Sequence, residues 1–325
     1  MTKNEYEQNL ISKVIKSIEN HGGNDCLSSI VLTGSFGRGE PTYEIDSNGE
    51  VQLKSDVEIG LIFPRSSQES AVIEIMKSVC SEFAEDLNFM PINEKRIRKA
   101  YNFNFSLKSP KYKTLFTFDL FNGSKTVWGH DFIGEKDIRL DDVDIYEAKR
   151  LIANRIGELI YLQNNADEGE KEYLRIQWKG KLLLAIAGAW LICEGKYVSS
   201  YHEQFDIIKQ SEKAVSNQFG TEFLTEYGKV FSFLRENGEK YEIDDDLLID
   251  YVKSMDRVFT EKKIVSPKIN SFIRLAKYYY RYFKTDMNYG FCGFENKILQ
   301  SLITDYCNKS EKLTEEANIW HTVLY

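Results

Sequence analysis

The periodicity of the apolar residues changes partway along the chain, and that change limits the folds open to it. From about Asp144 apolar residues recur at helical spacing over Ile145 to Leu162, Tyr173 to Cys193, Phe219 to Leu234, Ile269 to Phe283 and Phe294 to Leu313. Before that point the apolar runs are short and broken by turn residues, as strands are. The pattern predicts an α+β protein with a boundary near residue 140: a mixed sheet flanked by helices over 1–140, then an all-α helical bundle over 141–325. A length of 325 residues is consistent with this, at ~150 residues per domain. There is no internal repeat or low-complexity tract.

Composition removes several function classes. With 42% hydrophobic and 28% charged residues the chain has the makeup of a globular protein rather than a disordered one. Lys+Arg 42 against Asp+Glu 50 leaves a net charge of −8, the wrong sign for wrapping long nucleic acid. The five cysteines, Cys26, Cys80, Cys193, Cys292 and Cys307, form no C-x-x-C pair, which argues against a disulfide framework or a structural zinc site. The apolar run from Leu182 to Cys193 is too short to span a bilayer, and the first residues contain no apolar signal core. A cytoplasmic location is the expectation, with no membrane partner.

Within the first half, Leu10, Ile11, Val14, Ile15 and Ile18 lie on one helical face, and His21-Gly22-Gly23 closes that helix. A strand is predicted over Ser29 to Thr33, followed by the turn Gly34-Ser35-Phe36-Gly37-Arg38-Gly39. A hairpin is predicted over Thr42–Ile45 and Glu50–Leu53, with Asp46-Ser47-Asn48-Gly49 at its tip. Asp56 to Phe63 is a strand, Glu69 to Leu87 a helix, and Tyr101 to Leu107 and Leu115 to Phe121 are β-type stretches. In the second half the acidic run Glu236–Asp246 is a solvated loop and helix start, or else a surface for a cationic ligand. The aromatic and basic run Lys277–Lys284 is packing with a basic rim, or else a stacking platform for single-stranded nucleic acid.

The acids carry the chemical signal. Side chains two apart on a strand share a face, so Asp56 and Glu58 point one way while Val57 and Ile59 point to the core. Two adjacent carboxylates repel unless a proton or a cation lies between them, and magnesium prefers such hard oxygen ligands. A solvated edge strand would continue to alternate, whereas Leu61-Ile62-Phe63 is apolar throughout. Asp119 lies in the apolar stretch Leu115–Phe121, where an acid needs a partner or a metal. On this β-type stretch Asp119 shares a face with Thr117, which would let the acid reach the same cavity as Asp56 and Glu58. The Gly34–Gly39 turn lacks the Gly-Lys-Ser/Thr ending of a P-loop and the glycine order of a dinucleotide fingerprint. Its backbone N–H groups and the Ser35 hydroxyl are suited to cradling phosphate.

These elements together resemble the DNA polymerase β-type nucleotidyltransferase superfamily, in its small-molecule, aminoglycoside nucleotidyltransferase-like branch. Gly34 and Ser35 match its Gly-Ser turn, and Asp56-Val57-Glu58-Ile59 match its acid–hydrophobic–acid–hydrophobic strand. The spacer between them is longer than the family's usual one by the Thr42–Leu53 hairpin. The segment from Lys181 to Ser200 is similar to a helix and turn of the family's helical domain. There Ser200 stands where the family has a lysine, and Lys179 or Lys181 is the candidate substitute.

The resemblance implies a nucleotidyltransferase domain followed by a helical substrate-binding domain. It implies transfer of a nucleoside monophosphate, AMP by expectation, from ATP or another nucleoside triphosphate to a hydroxyl of a small molecule. Pyrophosphate leaves. Gly34, Ser35, Arg38 and Lys181 would contact the nucleotide. Asp56, Glu58 and Asp119 would bind one or two Mg²⁺ ions, with Asp119 alternatively taking the proton of the attacking hydroxyl. The alternatives are an antitoxin-like enzyme that adenylylates a protein and a non-catalytic nucleotide-binding module.

Overall fold

The computed structural model describes residues 2–45, 51–95, 97, 114–134, 138–165, 169, 171–236, 238–264 and 294–309. The chain is α+β and divides into two compact units, Met1–Asp142 with Val198–Tyr201, and Val143–Tyr197 with His202–Tyr325.

The first unit is organised by a four-stranded mixed sheet. Its strands are β1 (Ser29–Leu32), β4 (Val57–Phe63), β5 (Leu87–Asn93) and β6 (Lys125–Gly129), in the order β5-β4-β1-β6. β1 pairs antiparallel with both β4 and β6, and β4 pairs parallel with β5. A separate two-stranded ribbon, β2 (Tyr43–Ile45) with β3 (Val51–Leu53), forms the expected hairpin; its tip lies outside the described residues. Helix α1 (Lys3–Asn20) begins with a capping box in which the Thr2 hydroxyl accepts from the Glu5 amide and the Glu5 carboxylate accepts from the Thr2 amide. Leu10, Val14 and Ile18 of α1, and Val72, Ile75 and Val79 of α4 (Glu69–Cys80), pack in one cluster with Val57, Ile59, Leu61 and Phe63 of β4. Each such side chain contributes about 1.5–3 kcal/mol when fully buried. The odd-numbered residues of β4 are thus committed to this core, which turns Glu58 to the other face of the sheet. α2 (Gly23–Cys26) links α1 to β1.

Two expectations for this unit are corrected. The helix predicted over Glu69 to Leu87 ends at Cys80, and Leu87 opens β5. Pro91 within that strand, opposite Leu61, is tolerated because β5 is the outer strand of the described sheet. The stretch around Asp119 is not a strand but helix α5 (Leu115–Asn122). Thr114 caps it, its hydroxyl accepting from the Thr117 amide at 3.2 Å, and Gly123 ends it. A short apolar run does not distinguish strand from buried helix by periodicity, and here the cap and the terminal glycine decide. Thr117 and Asp119 therefore do not share a face. The β-type stretch Tyr101 to Leu107 lies outside the described residues.

The second unit consists of helices among the described residues: α6 (Tyr146–Asn165), α7 (Lys171–Cys193), α8 (Tyr201–Gln210, whose first residue belongs to the first unit), α9 (Glu212–Phe219), α10 (Phe223–Arg235), α11 (Asp245–Glu261) and α12 (Phe294–Cys307). α7 is long and apolar enough to cross a membrane, but 83% of its apolar window is buried within the protein. Phe205 stacks on Phe231 at 4.3 Å and Phe219 on Phe223 at 4.4 Å, forming an aromatic core. The acidic run is partly structural: Asp244 Oδ1 accepts from the amides of Asp246 and Leu247 at the start of α11, while Glu242 and Asp245 pair with Lys179. Lys149 is buried beside Gln300 and Asp256, and desolvation pushes its ammonium below the usual lysine range. The helix predicted over Ile269 to Phe283 and the run Lys277–Lys284 lie outside the described residues.

The helical assignment of Leu115–Asn122 has a direct consequence. Thr114→Ala removes the side-chain cap and is expected to lower stability by about 1 kcal/mol in urea denaturation. An unchanged midpoint would show that the cap contributes nothing.

Candidate functional site

β1 runs into the glycine-rich turn, and the ladder with β4 continues one residue beyond the strand, the Thr33 amide donating to the Glu58 carbonyl at 2.9 Å. The chain then turns at Gly34, which has φ +58, and residues Gly34–Arg38 form the short helix α3. A Cβ on Gly34 would fall 1.5 Å from Glu58 Oε2, so the Glu58 carboxylate occupies the space left by the missing side chain. Only glycine allows both the left-handed backbone and this approach. The Gly37 amide donates to the Thr33 carbonyl at 2.9 Å and the Glu40 amide to the Ser35 carbonyl at 2.8 Å, which closes the turn.

Ser35 is 6% exposed, and its hydroxyl has no hydrogen-bond partner among the described residues; the Thr33 hydroxyl is likewise buried and unpaired. Leaving a buried hydroxyl unsatisfied costs about 1–3 kcal/mol, so the pair beside Glu58 is suited to receiving a polar ligand. Asp56, two residues before Glu58, lies at the mouth of β4. Its Oδ2 accepts from Asn88 Nδ2 at 3.0 Å, because the parallel register places Asn88 opposite Glu58. Gly34 and Glu58 are thus brought together at the end of the β1–β4 pairing, with Ser35 following Gly34 in the chain and Asp56 held by Asn88 just before β4.

The other predicted residues behave differently. Asp119, on α5, accepts from Ser199 Oγ at 2.9 Å. Among the described residues no group of three or more His, Cys, Asp or Glu is placed to hold a metal ion. Arg38 donates from Nε to Glu40 at 3.3 Å, and its guanidinium lies over the Tyr201 ring at 4.8 Å from the centroid. Lys181, in the second unit, has its ammonium 4.0 Å from the centroid of the Trp178 ring. Lys179 is 3% exposed and paired with Glu242 and Asp245, each at 2.7 Å, so its charge is used inside the helical unit. Ser200 donates to Glu40 Oε1 at 2.6 Å.

Asn88, Glu40, Ser199 and Tyr201 were not singled out by the sequence reading. Glu40 ends the glycine-rich string and was legible as part of it. The partners Ser199–Asp119 and Ser200–Glu40 are separated by 80 and 160 positions, and no local spacing announces them.

The site tests itself against magnesium through the chemistry of its donors. Two carboxylates two residues apart supply hard oxygen ligands, and magnesium keeps several waters when bound by one or two carboxylates. Asp56 and Glu58 are donors of the chemical type that such an ion takes.

Gly34 and Gly39 separate backbone strain from the contact with Glu58. Both have positive φ, but a Cβ on Gly39 meets nothing within 4 Å. Each alanine substitution is expected to cost about 1–2 kcal/mol for the left-handed backbone. Gly34→Ala should cost more than Gly39→Ala in urea denaturation because it also displaces the Glu58 carboxylate; equal losses would refute the contact. Comparison of the whole chain with protein-family models and with curated protein sequences finds no match, so the chemistry of the site carries the functional reading.

Proposed function

We propose that this chain is a magnesium-dependent nucleotidyltransferase that moves a nucleoside monophosphate from a nucleoside triphosphate, ATP in the first instance, to a hydroxyl of a small molecule. The reading is carried by one observation: the turn after β1 sets a glycine of positive φ against the Glu58 carboxylate and follows it with a serine whose hydroxyl is buried and unpaired among the described residues. In this reading residues 1–140 form the nucleotidyltransferase domain and residues 141–325 the helical domain that takes the acceptor.

Asp56 and Glu58 would hold the ion. Magnesium, when bound, offsets charge on the phosphates of the nucleotide. Ser35 Oγ donates to a phosphate oxygen, which satisfies its hydrogen-bonding capacity, and the amides of the turn add further donors. Asp119, whose carboxylate accepts from Ser199, is assigned either to take the proton of the attacking hydroxyl or to join the ligands of the ion. The hydroxyl oxygen forms a bond to the α-phosphorus, the bond to the bridging oxygen breaks, and pyrophosphate departs. Most of the rate comes from in-line positioning and charge neutralisation, as in phosphoryl transfer generally. Arg38 and Lys181 are not given a phosphate contact, because Arg38 is engaged by Glu40 and Tyr201 and Lys181 by Trp178.

The test is pyrophosphate release from each Mg-NTP in the presence of a panel of hydroxylated small molecules. Asp56→Asn and Glu58→Gln are each expected to lower the rate by about 100-fold or more, the scale of removing one electrostatic partner of the reacting charge. Wild-type rates in both variants would reject the metal assignment. Label from the nucleotide found in a protein would favour the antitoxin-like reading, and Mg-ATP binding without turnover the non-catalytic one.

A further inference from the structure

The segment Val198–Tyr201 follows α7 in sequence yet belongs to the first unit. Its attachment is polar and centres on Glu40, whose side chain is only 7% exposed. Glu40 Oε1 accepts from Ser200 Oγ at 2.6 Å, and Oε2 accepts from the Tyr201 amide at 3.1 Å and from Arg38 Nε at 3.3 Å. The Arg38 side chain is itself 11% exposed and lies over the Tyr201 ring. One residue further back, Ser199 holds Asp119. This is not an ion pair on a solvated surface, where long side chains contribute little. It is a desolvated carboxylate with three donors, an arrangement that loses heavily when one partner is removed.

The same residue is bonded twice. While its carboxylate holds the distant segment, its amide donates to the Ser35 carbonyl at 2.8 Å. The path of the turn that carries Ser35 therefore depends on where Glu40 is anchored.

We infer that Glu40 is a positioning residue: it ties the Gly34–Glu40 turn to residues 198–201 and so keeps the Ser35 hydroxyl and neighbouring amides in a phosphate-receiving arrangement. Arg38 belongs to this anchor, and its charge is spent on Glu40 and Tyr201 rather than on a ligand. The phosphate clause rests on the nucleotidyltransferase reading; the anchoring does not.

The experiment uses the full-length chain and compares wild type with Glu40→Ala, Glu40→Gln and Ser200→Ala by amide hydrogen exchange, with Mg-ATP kinetics alongside. In Glu40→Ala the amides of residues 34–40 should exchange about tenfold faster or more while those of β1 and β4 keep their protection. Glu40→Gln, which retains one acceptor for Ser200, should fall between the two. Ser200→Ala, a milder change that leaves the carboxylate its other donors, should show the same local pattern at smaller amplitude. In the kinetics, KM for Mg-ATP should rise about tenfold in Glu40→Ala, with kcat changed less. Unchanged exchange in 34–40, or a rise spread evenly over the whole unit, would overturn the inference. A wild-type chain that neither binds nor turns over nucleotide, with the local exchange pattern present, would sink the proposed activity and leave the anchor standing.

Discussion

The antiparallel pairing of β1 with β4 is the constraint on which the rest of the first unit depends. Its register sets Leu32 opposite Ile59, and the next bond of the ladder joins Thr33 to Glu58. Because successive side chains on a strand alternate in direction, burying Val57, Ile59, Leu61 and Phe63 under α1 and α4 leaves Glu58 no choice of face. A slip of one residue would put the acid in the apolar core and expose the core residues. The hydrophobic energy of that face, several side chains at about 1.5–3 kcal/mol each, thereby fixes the position of a charge that contributes nothing to it.

The turn that follows shows what such a position demands of the backbone. A left-handed residue is needed immediately after the ladder, and the Glu58 carboxylate lies where a Cβ would be. On either side of it the buried hydroxyls of Thr33 and Ser35 are unpaired among the described residues. Buried polar groups in proteins are satisfied as a rule. Two exceptions within three residues, in a turn that contacts Glu58, are what a site built to receive a polar ligand would show.

Three of the cations are paired internally. Lys179 and Lys149 are buried in the helical unit against acids and an amide, and Arg38 is held between a carboxylate and an aromatic ring. Two of these, Lys179 and Arg38, had the right charge for a phosphate contact when only the sequence was considered. Charge type is legible in a sequence, whereas desolvation and pairing are properties of the packed state. Asp119 makes the same point for secondary structure. Its neighbours are apolar in a pattern compatible with either a strand or a helix, and the outcome turned on a capping threonine and a terminal glycine that are only a few atoms' worth of information.

By itself the sequence determined the α+β class, the β1 strand, the hairpin arms, the long helices over Tyr146–Asn165 and Lys171–Cys193, and the alternation that turns Glu58 away from the core. These follow from periodicity, which is a local property of neighbouring residues. Tertiary structure alone decided that β5 rather than a longer helix follows α4, that Asn88 meets Asp56, that Ser199 meets Asp119, and that residues 198–201 anchor Glu40. Each of those joins groups remote along the chain, and the energy that brings them together comes from burying surfaces whose partners no local pattern names.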